Sequence, residues 1–236
     1  MRTEKLDLRH IDALYAPLKE SGVFISEYSF ANLYLFRTAH DYEVVFDRET
    51  FIRGTTYDGA RYLMPLRDPR AMDPDYLRGL AGEADIFFPI SEEWLQAFDR
   101  ERYDFSFSDG DMDYVFTSDK IATYKGKKLH NKRNLLQQFY TQYRHEALPL
   151  LPERRGDALN ILDRWQEETG LAQSETDYQA CVEALSLQNE LLLCGGIYYA
   201  DDEPVGFILG EGINSEMFAL HFAKGLRSIK GVYQFM

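Results

Sequence analysis

The sequence predicts an α+β protein whose mixed, largely antiparallel sheets are flanked by helices. Three observations carry that expectation. Blocks rich in Val, Ile, Tyr, Thr and Phe at residues 43–46, 51–56 and 61–65 are separated by Asp47, Asp58 and Gly59, and read as an antiparallel meander. A second strand-rich region closes the chain, with blocks at 191–200, 205–212 and 216–224 and a tight turn at Asp201 and Asp202. Segments of helical periodicity lie between these regions, so layers of helix and sheet are expected rather than a bundle. At 236 residues, 45% hydrophobic and 14% aromatic, the chain can bury one large core or two small ones.

The elements follow in order. Ile11, Leu14, Tyr15 and Leu18 fall on one helical face, with Asp7 placed to cap it and Pro17 placed to end or kink it. The aromatic segment 26–37 reads as a short helix, with a strand as the other reading. Asp73 with Pro74, and Ser91 with Glu92 and Glu93, are helix starts; between them 84–89 reads as a buried strand, and a further strand is expected at 114–117 after the acidic turn 109–113. Ala158, Leu159, Ile161, Leu162 and Trp165 mark one amphipathic helix. Tyr178, Cys181, Val182 and Leu185 mark another, with Ser174 and Asp177 at capping-box spacing. Residues 231–236 read as the first turns of a last helix, an abrupt end for strands this apolar, which need a covering layer. Both halves run from helices to antiparallel strands, which permits two similar domains meeting between residues 109 and 126.

Charge singles out one stretch. The chain carries net charge −13, yet from Lys120 to His145 there are seven Lys and Arg residues and no Asp or Glu. From about residue 128 to 143 a helix is expected, with Leu129, Leu136, Tyr140 and Tyr143 on its apolar side and Leu135 and Phe139 widening the stripe. Its cations crowd the N-terminal end, where the helix dipole opposes positive charge by about 0.3–1 kcal/mol per group. Lys125, Lys127, Lys128, Lys132 and Arg133, with Gly126 and free N–H groups, could converge on a phosphate, and His130 could add a donor. A solvated cationic face is the other reading of the same pattern. No Walker loop and no G-x-G-x-x-G follows a strand, so ordinary nucleotide folds are unsupported. Cys181 and Cys194 lie in apolar surroundings and are expected to be reduced and buried, neither bridged nor metal-bound. The absence of a ~20-residue apolar run and of a signal-peptide pattern predicts a soluble, cytoplasmic protein.

Residues 26–37 (SEYSFANLYLFR), 124–139 (YKGKKLHNKRNLLQQF) and the closing VGFILGE, FALHFAK and KGVYQ together resemble the DUF2156 family, which is related to the C-terminal catalytic domain of phosphatidylglycerol lysyltransferases. The resemblance covers nearly the whole chain. It implies two tandem acyltransferase folds of the GNAT type, residues 1–117 and 118–236, distantly similar to FemABX enzymes, which transfer aminoacyl groups from tRNA. Relatives continue beyond KGVYQ, so the second domain is expected to be incomplete at Met236. By the same resemblance Lys128, Lys132, Arg133 and Asn134 would face the phosphate of tRNA, lipid or another carrier. Where the family tends to read His-x-Glu-Lys, this chain has His221, Phe222, Ala223 and Lys224, and residues 227–232 do not meet the acetyl-CoA signature of GNAT enzymes.

A transferase of this class needs a base for its nucleophile and donors for the developing oxyanion. Glu211, at the end of one strand, and His221, on the next, are the catalytic candidates; Lys224 could bind an anionic substrate and Asn214 could donate a hydrogen bond. The plain structural alternatives are a solvated strand-end carboxylate for Glu211 and a core histidine for His221, alternating with Met217 and Ala219. The implied activity is acyl or aminoacyl transfer from a phosphate-bearing donor such as aminoacyl-tRNA. The alternatives are a non-catalytic RNA- or anion-binding module on the same fold and an acyl-CoA-dependent N-acyltransferase.

Overall fold

The computed structural model describes residues 1–236. The chain divides into two compact units. One comprises Met1–Asp113 and Ile213–Met217, the other Tyr114–Gly212 and Phe218–Met236.

The first unit is built on a five-stranded sheet in the order β1 (Arg2–Lys5), β2 (Glu43–Phe46), β3 (Thr50–Thr55), β4 (Arg61–Pro65) and β5 (Ile86–Phe87); β4 and β5 pair in parallel and the others antiparallel. The meander β2 to β4 forms where β-branched and aromatic blocks are punctuated by turn residues. Its pleat buries both faces, Val45, Phe51 and Leu63 on one and Val44, Ile52 and Met64 on the other. Met72, Leu77 and Leu80 complete the core over the first face. Leu14 and Leu18 anchor α1 (Ile11–Glu20), and the Ser29 side chain caps α2 (Phe30–Leu35) by accepting from the Asn32 N–H at 3.1 Å. Asp73 likewise caps α3 (Pro74–Gly79).

Gly54 faces Tyr62 across β3 and β4, and a Cβ there would sit 2.6 Å from the Tyr62 ring and 2.7 Å from that of Tyr42. Those rings are fixed, because the Tyr62 hydroxyl donates to that of Tyr42 at 2.9 Å and both side chains are buried. Gly54→Ala is therefore expected to destabilise the chain by about 1–3 kcal/mol through overpacking. A urea unfolding midpoint indistinguishable from the native one would contradict this.

The second unit carries an antiparallel sheet in the order β6 (His145–Pro149), β7 (Cys194–Ala200), β8 (Glu203–Gly212) and β9 (Phe218–Gly225). Ahead of it lie α4 (Ser118–Thr123) and α5 (His130–Gln142); α6 (Arg155–Thr169) and α7 (Tyr178–Ser186) separate β6 from β7. The α6 helix packs on β8 and β9 through Ala158, Ile161 and Leu162. A short α8 (Val232–Phe235) packs against α5, with Phe235 stacked on Phe139 at 4.5 Å and the Tyr198 hydroxyl donating to the Met236 carbonyl at 3.0 Å. Strand and helix order is β1-α1-α2-β2-β3-β4-α3-β5 in the first unit and α4-α5-β6-α6-α7-β7-β8-β9-α8 in the second. No helix is long and apolar enough to cross a membrane.

Several local expectations are corrected. The polar strand β1 and the strand β6 escape periodicity, because only pairing with β2 and β7 defines them. Pro17 does not end α1, which runs on to Glu20 with the proline inside it. The strand expected at 84–89 shrinks to two residues at the sheet edge, with Ile86 exposed. Residues 92–97 form a 3₁₀ helix, short enough that burial of Trp94 rather than helix propensity holds it. Residues 114–117 pair with nothing and form no strand; Thr117 instead caps α4. Asp177, at the N-cap of α7, makes no cap bond because Lys224 takes its carboxylate. Cys194 is exposed at the start of β7, whereas Cys181 is buried and its thiol is pushed up by desolvation.

Candidate functional site

Strands β8 and β9 bring two sequence candidates together. Leu209 pairs with Phe222, but Gly210 pairs with Leu220, so His221 is the extra residue of a β-bulge. The bulge breaks the alternation of Met217, Ala219, His221 and Ala223 that the sequence suggested. Ala219, Phe222 and Lys224 share the buried side with Phe207, Leu209 and Glu211, and the bulge aims His221 at that carboxylate. His221 Nε2 lies 3.2 Å from Glu211 Oε1, and the two side chains are 2% and 3% exposed. Glu211 is thus not a solvated strand-end carboxylate. If Nε2 carries the proton and donates to Glu211, Nδ1 is left as an acceptor.

Lys224 has a different role from that expected. Its Nζ donates to both carboxylate oxygens of Asp177, at 2.6 and 2.9 Å, and sits 3.7 Å from the Trp165 ring centroid, so the ammonium is committed inside the fold rather than offered to a substrate. Asn214 closes its own loop, its Oδ1 accepting from the N–H groups of Glu216 and Met217 at 2.8 and 2.9 Å.

The basic segment is divided. A 3₁₀ turn, Lys127–Leu129, precedes α5, of which only Phe139 is fully buried; Tyr140 of the expected apolar stripe is exposed. Arg133 Nη1 donates to the carbonyls of Tyr124 and of Gly126, the latter at 2.9 Å, and so clamps a loop in which Tyr124 and Gly126 both have positive φ. It holds the loop that displays Lys125, Lys127 and Lys128, all exposed. Lys125 is drawn to Asp119 at 3.7 Å, and Asn134 is within 3.2 Å of His130 Nε2. Arg144 is pinned to the β7–β8 hairpin by Asp202 at 2.5 Å and takes no part in this cluster. Asn134, Gln137, Gln138, Thr141 and Gln142 line a shallow groove along α5.

Sequence reasoning passed over Glu27, in the first unit. Its carboxyl is pushed above the ordinary range, chiefly by burial and further by Asp113 and Asp111; the Ser26 hydroxyl reaches both Glu27 and Asp113, at 3.2 and 3.1 Å. Nearby Tyr62 is pushed up to about 12, again mainly by burial. The only signal in the sequence was a carboxylate inside an aromatic run. Because the folded state binds this proton more tightly than the unfolded chain, stability is lost as pH rises from the unfolded carboxylate value through the folded one. Glu27→Gln is expected to raise the melting temperature at neutral pH, with the gain shrinking as pH falls through the carboxylate range. Equal melting curves at every pH would contradict the burial of that charge.

The family model described as "Phosphatidylglycerol lysyltransferase, C-terminal" matches residues 19–236. No curated protein matches the sequence. A crystal structure of a conserved protein of unknown function from Bacteroides thetaiotaomicron VPI-5482, 26% identical, covers 100% of this chain and 83% of its own length, with a TM-score of 0.85.

Proposed function

Because the chain belongs to the phosphatidylglycerol lysyltransferase C-terminal family, we propose that it is an aminoacyl transferase acting on a phospholipid headgroup, with aminoacyl-tRNA as the phosphate-bearing donor. The observation that carries this reading is the Glu211–His221 pair, buried on adjacent strands and aimed by a bulge. His221 Nδ1 accepts the proton of the attacking lipid hydroxyl while Glu211 steadies the imidazolium that forms. The hydroxyl oxygen bonds to the aminoacyl carbonyl, the ester bond to the carrier breaks, and the proton passes to the departing ribose oxygen. Burial keeps bulk water from the pair, which favours transfer to a bound acceptor over hydrolysis. Lys125, Lys127, Lys128 and Lys132 supply counter-charge to a phosphate.

A run of β-α-α-β-β-β-α common to the two units supports a tandem GNAT-like plan, with a unit boundary near residues 113–117. A tRNA donor places the reaction in the cytoplasm. The test is incubation of purified protein with radiolabelled aminoacyl-tRNA and phosphatidylglycerol in mixed micelles. A ribonuclease-resistant, lipid-linked aminoacyl product is expected; no such product from any aminoacyl-tRNA, with the donor intact, overturns the proposal.

A further inference from the structure

We infer that residues 114–132 form a docking surface for an anionic lipid bilayer. Tyr114 is 92%, Val115 68%, Phe116 46% and Ile121 50% exposed, so three consecutive apolar residues and one from α4 stand in solvent without a covering element. Isolated exposed apolar residues are ordinary; a run of three, with a fourth five residues further along the chain, implies a partner. Cations are interleaved with it. Lys120 and Lys132 each place Nζ 5.9 Å from the Phe116 ring centroid, and Lys132 is also 5.9 Å from the Tyr124 ring. Residues 114–132 hold five Lys against one carboxylate, Asp119, in a chain of net charge −13.

Charge complementarity selects a polyanionic partner, and the aliphatic residues select among polyanions. RNA engages cations and stacks on rings, but it offers nothing to Val115 and Ile121. At a bilayer surface, Tyr, Phe, Val and Ile enter the headgroup and acyl boundary while Lys side chains extend to the phosphates. The inference rests on the proposed function for its acceptor, and assigns the cations of that site to the lipid side of the reaction.

The full chain is sedimented with vesicles of phosphatidylcholine alone and of phosphatidylcholine mixed with phosphatidylglycerol, without donor. Binding to the mixed vesicles only, weakened by salt, is expected. Lys127→Glu with Lys128→Glu should lower that binding roughly tenfold or more, since each surface cation adds measurably to anionic-membrane affinity. Tyr114→Ser, Val115→Ser and Phe116→Ser together should lower it comparably, including at raised salt where the charge contribution is screened. All these positions are exposed, and circular dichroism verifies the fold of each variant. Native-like vesicle binding by either variant set overturns the inference, as does tRNA binding that both sets abolish while vesicle binding is untouched. The two proposals fail separately: transfer activity with patch-independent vesicle binding removes only the docking surface, and patch-dependent binding without transfer removes only the transferase reading.

Discussion

His221→Gln is expected to lower the turnover of aminoacyl transfer by about 10²–10⁴-fold, the usual contribution of a positioned general base. Gln keeps much of the volume and a hydrogen-bond donor toward Glu211 Oε1, so the buried carboxylate 3.2 Å away is not left unpartnered and the fold should persist. Glu211→Gln acts through the imidazole. It should reduce kcat with KM held, because the carboxylate orients the ring and steadies its cation without meeting the substrate. A merely structural pair would show the opposite pattern, with unchanged turnover per folded molecule and a lowered unfolding midpoint. Transfer assays on protein titrated for folded fraction by circular dichroism distinguish the two, and full activity in His221→Gln would remove the histidine from the mechanism.

Asp177→Ala is expected to be among the most destabilising single changes in the second unit, at about 3–5 kcal/mol, because it leaves a buried ammonium without its counter-ion. Lys224 is 6% exposed at its side chain, and the Trp165 face beside it is no substitute for a carboxylate. Lys224→Met should cost less, about 1–2 kcal/mol, since the Asp177 side chain is 32% exposed and water can hydrate the released carboxylate, while Met keeps most of the apolar stem. Urea unfolding with unchanged slope gives both numbers. Equal losses, or a larger loss for Lys224→Met, would contradict the described asymmetry of burial.

The parts of this molecule that are local in the chain are legible in the sequence. The meander at 43–65, the helices α6 and α7 and the hairpin through Asp201 and Asp202, whose φ angles are 52° and 70°, follow from periodicity and turn chemistry within a few residues. One expected strand that does not form and one observed strand that was not expected show where that reasoning stops. Residues 114–117 have strand-like composition, but a strand needs a neighbour to take its backbone groups, and none pairs there. The polar segment at β1 has no strand-like composition, yet β2 supplies those partners.

The candidate site divides along the same line. Sequence by itself determined the residue types: a Glu and a His on consecutive strands, a reversal of charge between Lys120 and Arg144 in an acidic chain, and enough motif order to suggest the family that residues 19–236 match. Tertiary structure decided where each side chain points and what it meets. A bulge in β9 turns His221 onto Glu211; Asp177, 47 positions away, engages the Lys224 ammonium; two carbonyls make Arg133 a loop clamp. Register, burial and long-range pairing set the direction and the charge environment of a side chain, and none of them is a property of its neighbours in sequence.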